Sequence, residues 1–421
     1  MKRWVCVSVA LLVLLVSCSA LGAGKEKIIV GVYPDLDTAY KALLGKFNAK
    51  YPNIEVEIKS LGYGDHHNNL VTTLAAGSGA PDVAAVEIGY IAKFVSAGGM
   101  VNLLQKPYEA TRFKKNMAPY AWAQATADDG RLIALPVDVA PGCAYYRRDI
   151  FAQFNQDINA IKTMQDLYDF GKKVTRDTDG DGKVDRWLIP NAGDIATMVF
   201  KTGPFFDDKG KCLVGTDRFR LAFEWAKKFR DAGMDAQIGA WTNEWYTCFK
   251  DGLIAYQPCG AWLGGHLQNW MAPDTRGKWG VAPFPALTAG GAPLMVGWGG
   301  SFLAIPEQSK HKDAAWKFIE FACTDTDSQM SSFVTTNAFP AWMPAWSGDY
   351  FNEKIEFLGG QQARLLWIDL AKRIPEVPTS KFDIVANDII NRALTDVLAE
   401  GADIEQSLKD AKAQIERQTA R

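Results

Sequence analysis

The chain has 421 residues, with 46 Lys and Arg against 48 Asp and Glu and a formal net charge of −2. This near-neutral balance, without a long run of one sign, argues against nucleic acid as a partner, because nucleic acid binding needs a basic face. A chain of this length exceeds what one hydrophobic core usually covers, so the sequence predicts two lobes.

The first eighteen residues are predicted to be an export signal. Lys2 and Arg3 form a short basic region, and the apolar run at 5–16 is too short to span a bilayer comfortably. The leucine-valine-serine-cysteine end of this run resembles a bacterial lipoprotein box. That resemblance implies removal of a signal peptide of residues 1–17 and lipidation of Cys18. The alternative is ordinary cleavage a few residues later, which would release a soluble secreted protein.

The mature chain is expected outside the cytoplasm, because no later segment is long and apolar enough to cross a membrane. Its predicted location is the periplasm or the outer surface of the cytoplasmic membrane, where a lipid at Cys18 would hold it. Without the leader it carries 44 Lys and Arg against 48 Asp and Glu, a net charge of −4.

Cysteine and histidine usage predicts neither a disulfide framework nor a zinc site. Five cysteines follow Cys18, an odd number at scattered spacing, so at most one disulfide is expected and small buried hydrophobes are the favoured role. The chain has only four His and no Cys-x-x-Cys pair, which makes a zinc site improbable.

The mature N-terminus alternates predicted strands and helices. Strands are expected at 27–33, 54–58 and 81–87, and helices at 40–51 and through 70–76. This β-α-β-α-β order predicts a largely parallel sheet with right-handed crossovers. Ligands bind off the carboxyl ends of the strands in such sheets, so Tyr63, His66 and Glu87 are predicted rim residues.

The rest of the chain continues in the same mixed pattern. Thr163 and Asp166 form a predicted capping box for a helix through Val174. Further strands are expected at 144–146, 278–284 and 300–305, an amphipathic helix at 314–323, and two tail helices on either side of Gly401.

A tryptophan-dense stretch is the most informative feature of the sequence. It holds six of the 14 tryptophans: Trp241, Trp245, Trp262, Trp270, Trp279 and Trp298. Several of them have glycine neighbours, which leave a ring face bare and let a backbone or a ligand approach. A flat apolar face with a polar edge nitrogen suits a sugar ring. The alternative is that these residues fill a large core, since tryptophan is highly buried on average.

Several motifs resemble one known family. They are LPVDVAPGCAYYRR at 135–148, FKDG at 249–252, GAW at 260–262, GVAP at 280–283, GGS at 299–301 and AIPEQSKHKDAAWKFIEF at 304–321. With the tryptophan-rich stretch, they make the chain similar to the extracellular solute-binding proteins of bacterial ABC importers for carbohydrates, the family that includes maltose-binding protein. The resemblance runs through nearly all of the mature chain, but it is weak for any one sugar.

This resemblance implies an α/β, two-lobed fold of periplasmic-binding-protein type II, with the ligand cleft between the lobes and a helical C-terminal tail. One lobe would contain 25–137 and 284–326, and the other 138–283 and 327–421. Chain crossings are expected near 136–141, 280–284 and 325–331. The implied protein is a monomer that binds a sugar or oligosaccharide with high affinity, closes by a hinge rotation and delivers it to the permease subunits.

Sugar binding needs aromatic platforms and polar groups of fixed geometry, and charged acceptors give the stronger hydrogen bonds. The first choices for ligand contact are Tyr63, Glu87, Asp138, Trp262, Trp298 and Trp342, with His66, Trp245 and Arg364 in reserve. Other roles stay open: Tyr63 as a packed loop aromatic, Glu87 as a helix cap and Asp138 as a hinge residue. Arg364 is the candidate for an acidic sugar, although an arginine on a helix surface is the favoured interpretation.

A separate signal at 177–188 is typical of a calcium loop. Asp177, Asp179, Asp181 and Asp185 occupy positions 1, 3, 5 and 9, glycine stands at position 6, and Lys183 can offer its carbonyl at position 7. The twelfth position is Leu188, where the bidentate acid should stand. Structural calcium binding and an empty polar turn are therefore both open.

Two other functions compete with sugar transport. A glycan-degrading enzyme would need two carboxylates about 5–10 Å apart across a cleft, and Glu87, Asp138 and Glu244 could be cast in those roles. A binding protein for a polyamine would need several acids near the tryptophans, and the sequence alone shows no such cluster. No nucleophile elbow or catalytic Cys–His pattern is present, so the sequence predicts binding without catalysis.

Overall fold

The computed structural model describes residues 25–127, 129–377 and 379–420, and the export signal with Cys18 lies outside them. The strands are β1 (Glu26–Val32), β2 (Ile54–Ser60), β3 (Val83–Glu87), β4 (Leu135–Arg147), β5 (Tyr256–Gly260), β6 (Trp279–Ala282), β7 (Gly297–Ala304) and β8 (Phe339–Pro340). The helices of the first half are α1 (Leu36–Lys50), α2 (Tyr63–Ala76), α3 (Ile88–Ala97), α4 (Pro119–Gln124), α5 (Arg148–Gln153), α6 (Met164–Val174), α7 (Gly193–Phe200) and α8 (Asp217–Asp231). The helices of the second half are α9 (Asn243–Asp251), α10 (Leu263–His266), α11 (Lys312–Thr324), α12 (Thr326–Thr336), α13 (Asp349–Asn352), α14 (Ala363–Arg373), α15 (Asp383–Glu400) and α16 (Ile404–Thr419). Short 3₁₀ helices lie at Ala110–Asn116, Ile158–Ala160, Pro273–Thr275, Met343–Ala345 and Glu356–Leu358, and a π-helical turn lies at Leu267–Met271.

The strands pair in the order β2-β1-β3-β7-β4-β5. As the β-α-β-α-β pattern predicted, β1 is parallel to both β2 and β3, whereas β7 runs antiparallel to β3 and to β4. The first four residues of β3 are fully buried, which fits a central strand covered on both faces. The carboxyl ends of β1, β2 and β3 therefore meet at one edge.

The long strand β4 joins two groups of strands. Its first half pairs with β7, and we call β2, β1, β3, β7 and this half the first sheet. Its second half, from Gly142 to Arg147, pairs with β5 and β6 and forms the second sheet. The sequence predicted only a short strand at 144–146, whereas in the structure β4 continues through Pro136 and Pro141, residues that are uncommon inside a regular ladder. Both prolines lie next to shifts in the β4–β7 register, where the ladder is interrupted.

Helices cover both sheets. One apolar core contains residues of β1, β3, α1, α11, α12 and α14 and extends to Trp279 of β6. The other core lies on the opposite face of the second sheet, where α6, α7, α8, α15 and α16 pack together. The predicted lobe boundaries at 137/138 and 283/284 stay predictions, since the first of these two cores continues past them.

Several local predictions are confirmed. The Thr163 hydroxyl accepts from the Asp166 backbone N–H while the Asp166 carboxylate accepts from that of Thr163, which is the predicted capping box. Gly401 ends α15 in the left-handed conformation. The five described cysteines are all free and buried, in agreement with their expected role as small hydrophobes. Within the described residues, none of the helices combines the length and apolar character needed to cross a membrane.

Candidate ligand-binding cleft

The carboxyl ends of the three parallel strands bring polar and aromatic side chains together. Tyr63 follows β2 and Glu87 ends β3, and the Tyr63 hydroxyl donates a 2.7 Å hydrogen bond to Oε2 of Glu87. Tyr33, just after β1, lies edge-on to Tyr63 with ring centroids 5.6 Å apart. The rule for parallel sheets therefore located Tyr63 and Glu87 at one edge. We call Tyr33, Tyr63, Glu87, Asp138 and Ser301 the polar wall.

His66 lies beside the polar wall but has no open face. Its side chain is buried, and Nε2 bonds to the Ala85 carbonyl at 2.7 Å. The neighbouring His67 links the wall instead, since its Nε2 accepts the Glu87 backbone N–H at 3.1 Å and its Nδ1 donates to the Tyr63 carbonyl at 2.7 Å. The hydrogen bond from Glu87 assigns the His67 proton to Nδ1. Burial lowers the pKa of His67 to about 4, so this imidazole is neutral.

Glu87 has two structural partners that hold its carboxylate in place. Its Oε2 accepts the Tyr63 hydroxyl and the backbone N–H of Gly89 at 2.7 Å, so it caps the N-terminus of α3. Burial raises the pKa of Glu87, and these hydrogen bonds and the charge of Lys201 oppose that rise. The predicted capping role and a ligand-binding role are compatible, because the carboxylate keeps lone pairs for a further donor.

Asp138 occupies the first half of β4, opposite Ser301 of β7. The Tyr33 hydroxyl donates to Ser301 Oγ at 2.8 Å, and Ser301 in turn hydrogen-bonds the Asp138 carboxylate. Burial raises the pKa of Asp138 to about 7, the negative charge of Glu87 adds to the rise, and the Ser301 hydrogen bonds oppose it. Asp138 therefore changes its charge near neutral pH.

Trp262 and Trp298 meet where the two sheets join. The Trp262 Nε1–H donates to the Trp298 carbonyl at 2.8 Å. A Cβ at Gly260 would lie 2.3 Å from that carbonyl oxygen and 2.6 Å from Trp262 Nε1, so only glycine fits there. Gly299, with φ of 119°, also lies against Trp262 Nε1. The glycines beside these tryptophans thus permit close approach, as the sequence indicated.

A second group of aromatic side chains extends from Trp262. Trp241 stacks on Trp262 with ring centroids 5.4 Å apart and planes 18° apart, and 55% of Trp241 is exposed. His266 lies edge-on to Trp262 at 5.2 Å, and the Trp270 Nε1–H donates to His266 Nδ1 at 3.1 Å. We call Trp241, Trp262, His266 and Trp270 the aromatic wall.

One longer-range charge interaction and one closer contact connect the aromatic side to the polar side. Lys201, just after α7, places Nζ 5.2 Å from the Trp298 ring centroid, and its charge interacts with Glu87. Desolvation lowers the pKa of Lys201, although its side chain stays open to water, as expected for a group facing a narrow cleft. In the second contact, His266 Nε2 lies 3.9 Å from the carboxylate of Asp35, which follows β1.

Arg218 of α8 fixes the turn that carries Lys201. Its guanidinium donates to the carbonyls of Phe200, Gly203 and Pro204, and the bond to Gly203 measures 2.6 Å. Three carbonyls on one cation hold the end of α7 in a single conformation. The backbone on either side of Lys201 is therefore held by contacts to α8.

Open space borders this arrangement. A cavity of about 290 Å³ is lined by Gly89, Gln124, Lys201 and Gly297, among others. A neighbouring cavity of about 1040 Å³ shares Pro204 with it. Lys201 and Gly89 line the first cavity, whereas the polar wall, Trp298 and the aromatic wall line neither of the two.

Three predicted ligand contacts are packing residues in the structure. Trp245 is 2% exposed and packs edge-on to Phe249. Trp342 is 8% exposed and donates its Nε1–H to Thr326 Oγ1 at 3.3 Å. Arg364 is also buried, with its guanidinium 3.7 Å from the Tyr350 ring centroid, so it is not the surface arginine that the sequence favoured. These three side chains, like that of His66, are enclosed and have no open face in this structure, and their roles as ligand contacts stay predictions.

Sequence reasoning missed Asp35, Lys201, Trp241 and His266 as cleft residues. Only His266 and Trp241 had a usable signal. His266 follows Trp262 by four residues, a spacing that puts both on one helical face, and Trp241 belongs to the tryptophan-dense stretch. Asp35 and Lys201 have no local signal, since each is recognisable only from what lies opposite.

The aspartate-rich loop at 177–185 is folded around its own backbone. Asp177 accepts from the N–H groups of Gly180 and Gly182, both at 2.7 Å, and Asp185 accepts from the backbone and hydroxyl of Thr178. Carboxylate oxygens of Asp177, Asp179 and Asp185 lie within 4.8 Å of one another. Asp181 instead accepts the Lys183 N–H at 2.8 Å and lies outside this trio. Three of the predicted ligands thus converge and a fourth does not.

Comparison with known proteins defines the class. The model of the bacterial extracellular solute-binding protein family matches residues 32–327, about two thirds of the chain. The chain therefore belongs to the bacterial extracellular solute-binding proteins.

Individual relatives are distant but match over most of their length. An arabinooligosaccharide-binding protein of Bacillus subtilis (strain 168) is 25% identical over 84% of this chain and 83% of its own. A lactose-binding protein of Rhizobium radiobacter is 24% identical over 96% of this chain and 95% of its own. A solved structure of an ABC transporter-associated binding protein from B. animalis subsp. lactis Bl-04, in complex with β-1,6-galactobiose, superposes with a TM-score of 0.75 at 25% identity, over 94% of this chain and 98% of that one. The fold is therefore the two-lobed α/β fold with a helical C-terminus that the resemblance implied.

Proposed function

We propose that the protein binds a sugar or oligosaccharide in the cleft between its lobes and delivers it to the permease of an ABC importer. The observation that carries the proposal is the pairing of opposite chemistries across one cleft. Tyr63 and Glu87 supply fixed polar groups on one side, and Trp262 and Trp298 supply ring faces on the other. Sugars have hydroxyl rims and C–H faces, so they need both kinds of contact.

The relatives support this choice of ligand class. Those described above bind arabinooligosaccharide, lactose or a galactobiose. Several different sugars occur among them, so they support carbohydrate as the class and leave the particular sugar open. A sugar hydroxyl between Glu87 and Lys201 would orient the sugar ring, because charge-assisted hydrogen bonds are shorter and stronger than neutral ones.

Closure of the cleft is the proposed signal to the permease. Lys201 and His266 belong to the predicted second lobe, and Glu87 and Asp35 to the predicted first. The charge of Lys201 acts on Glu87, and His266 faces Asp35. A ligand that satisfies both sides stabilises the closed form by its greater affinity for that form. We further propose that the protein acts as a monomer and that a lipid on Cys18 tethers it to the membrane.

The proposed action is binding without catalysis. The relatives described above are binding proteins. Glu87 caps α3 through Gly89 and accepts the Tyr63 hydroxyl, and this structural use of its carboxylate fits a binding role. Incubation of the mature protein with a bound oligosaccharide, followed by chromatography of the sugars, should return the intact ligand.

One observation favours a second candidate, a cationic ligand such as a polyamine. The negative charges of Glu87 and of Asp35 both act on the Asp138 carboxyl, and the charge of Lys201 acts on Glu87. The sequence alone had not indicated this grouping. Spermidine and putrescine therefore belong in the same binding screen as the sugars.

We also propose that the loop at 177–185 binds calcium weakly and structurally. Asp177, Asp179 and Asp185 would supply oxygen ligands, and the Lys183 carbonyl would complete the set. Leu188 removes the usual bidentate acid, so weak binding is expected. Calcium titration of the wild type and of Asp179→Asn by calorimetry tests this, and equal heats of dilution for both would reject it.

A thermal-shift screen tests the main proposal. Mature protein is heated with mono-, di- and oligosaccharides, and with polyamines and calcium in separate wells. A ligand at a hundred times its dissociation constant stabilises the fold by about 2.7 kcal/mol, which raises the melting temperature visibly. A shift with sugars supports the proposal, a shift with polyamines alone supports the second candidate, and no shift with any sugar rejects the carbohydrate assignment.

A further inference from the structure

Two tryptophans of the aromatic wall leave about half of their surface exposed to solvent. Trp241 is 55% exposed and Trp270 is 50% exposed. His266 lies between them, with its ring centroid 6.0 Å from that of Trp241 and 5.5 Å from that of Trp270. Large side chains left open to water in a row, beside a cleft, are typical of an interaction site.

The exposed rings are held in place. Trp270 donates its Nε1–H to His266 and packs edge-on to Tyr246 at 5.2 Å. Trp241 is fixed by its stack on Trp262 and by a contact with the buried Trp245 at 5.4 Å. A rigid aromatic loses little conformational entropy when a ligand stacks on it, so fixed and exposed rings favour binding.

Unusual backbone conformations occur at the same place. Trp241 has φ of 67°, a positive value that bulky residues rarely adopt, and Asp35 has φ of 75°. Trp270 lies in the π-helical turn Leu267–Met271, which directly follows α10. Such strain and such turns are found most often at functional sites.

Polar groups complete the outer part of the wall. His266 Nδ1 accepts from Trp270, which leaves the proton on Nε2, the atom that faces the Asp35 carboxylate at 3.9 Å. Asp35 is itself 60% exposed at its side chain, so it can accept hydrogen bonds from hydroxyls. Ring faces and a carboxylate rim thus lie together beyond Trp262.

We propose that Trp241, Trp262, His266 and Trp270 form an outer subsite that stacks against a second or later sugar ring, so that the ligand is an oligosaccharide. This inference rests on the proposed sugar-binding function. The inner ring would lie among Glu87, Lys201 and Trp298, and the chain would continue along the aromatic wall toward Trp270. Affinity should therefore increase with the number of rings.

Calorimetry with ligands of increasing length tests the subsite. The probes are arabinose with arabinobiose to arabinopentaose, glucose with maltose to maltopentaose, and galactose with β-1,6-galactobiose. In the series that binds, wild-type affinity should rise at least tenfold from the shortest to the longest bound member. In the double variant Trp241→Ala/Trp270→Ala, this ratio should fall below threefold.

The matched control is Trp225→Ala, a tryptophan of α8 that packs against Phe229 and should keep the full length dependence. A Trp241→Phe/Trp270→Phe variant should recover most of the ratio, which guards against a folding defect in the alanine variant. Equal affinity for mono- and oligosaccharides in the wild type would overturn the subsite but leave sugar binding intact. A length dependence that persists in the double variant would also overturn the subsite. If none of the three series bound at all, both the proposed sugar-binding function and this subsite would be rejected.

Discussion

The two sides of the cleft are built in different ways. On the polar wall, each functional group is tied to backbone or to a neighbour: Glu87 to Gly89 and Tyr63, and Asp138 to Ser301. On the aromatic wall, Trp241 and Trp270 leave half of their surface in water and are held by ring contacts. The first wall fixes direction and the second supplies contact area.

This difference predicts a division of labour in binding. Hydrogen bonds to a charged acceptor depend strongly on geometry, so the polar wall should discriminate between sugars that differ at one hydroxyl. Stacking depends on area, so the aromatic wall should respond to ligand length. The two sheets join at Gly260, Trp262 and Trp298. This junction must keep the two walls at a fixed distance and orientation.

The largest effect is expected from Gly260→Ala. The new Cβ would lie 2.3 Å from the Trp298 carbonyl oxygen, a backbone atom that cannot move without shifting β7. Overpacking of this kind costs about 1–3 kcal/mol, and here the clash is with backbone, so we expect the upper end. Chemical denaturation should show the loss in the free energy of unfolding.

The control for that variant is Gly45→Ala in α1. A Cβ at Gly45 meets nothing within 4 Å, and alanine is favoured over glycine inside a helix by about 1 kcal/mol. Gly45→Ala should therefore be neutral or stabilising. If Gly260→Ala were as stable as Gly45→Ala, the junction would not be rigid and the comparison of the two walls would lose its basis.

The next-largest effect is expected from the titration of Asp138 in the polar wall, which makes the free energy of unfolding depend on pH. The folded-state pKa of Asp138 is raised to about 7, so between pH 4 and pH 7 the folded protein binds more protons than the unfolded chain. Stability contributed by this group is therefore present at low pH and lost as pH rises toward 7. Water in the cleft screens the charge, so we expect a loss on the order of 1–2 kcal/mol.

Asp138→Asn should remove this slope. Unfolding free energies measured from pH 4 to pH 8 should decline less steeply in the variant than in the wild type over pH 4–7. Asp179→Asn, in the exposed loop, serves as the control and should leave the slope unchanged. Parallel curves for wild type and Asp138→Asn would show that Asp138 does not titrate in this window.

Trp298→Ala and Trp262→Ala should each weaken ligand binding by more than tenfold, which is at least about 1.4 kcal/mol. Trp298 meets Lys201 with its ring, and Trp262 supports the aromatic wall. Titration by intrinsic fluorescence gives the affinities, and melting temperatures check the fold. Unchanged affinity in both variants would exclude the junction as part of the site.

Local sequence patterns predicted the parts of the molecule that depend on neighbours in the chain. Thr163 caps its helix, Glu87 ends β3 and Gly260 leaves room for Trp262, and each follows from residues close in sequence. Burial is harder to predict, because Trp245 and Trp262 both belong to the tryptophan-dense stretch and yet only Trp262 is partly open.

Contacts across the cleft could not be predicted from such local patterns. Lys201 and Glu87 are separated by more than a hundred residues, and Asp35 and His266 by more than two hundred. The turn held by Arg218 carries Lys201, whereas Glu87 lies at the end of β3. Residues of this kind can be identified once the three-dimensional structure is known, but not from a single sequence.

The smallest expected effect concerns Lys201, which lies over Trp298 and acts on Glu87 through its charge. Lys201→Met keeps the apolar stem over Trp298 but removes the charge that interacts with Glu87. We expect the dissociation constant to rise about threefold, or roughly 0.6 kcal/mol, because part of the Lys201 charge is already screened by water. Lys209→Met, an exposed lysine after the same turn, is the control.

A double-mutant cycle with Glu87→Gln sharpens the test: if Lys201 acts through Glu87, the two effects are not additive. Additive losses would show that Lys201 contacts the ligand independently, and the polar and aromatic walls would then be coupled only through the ligand.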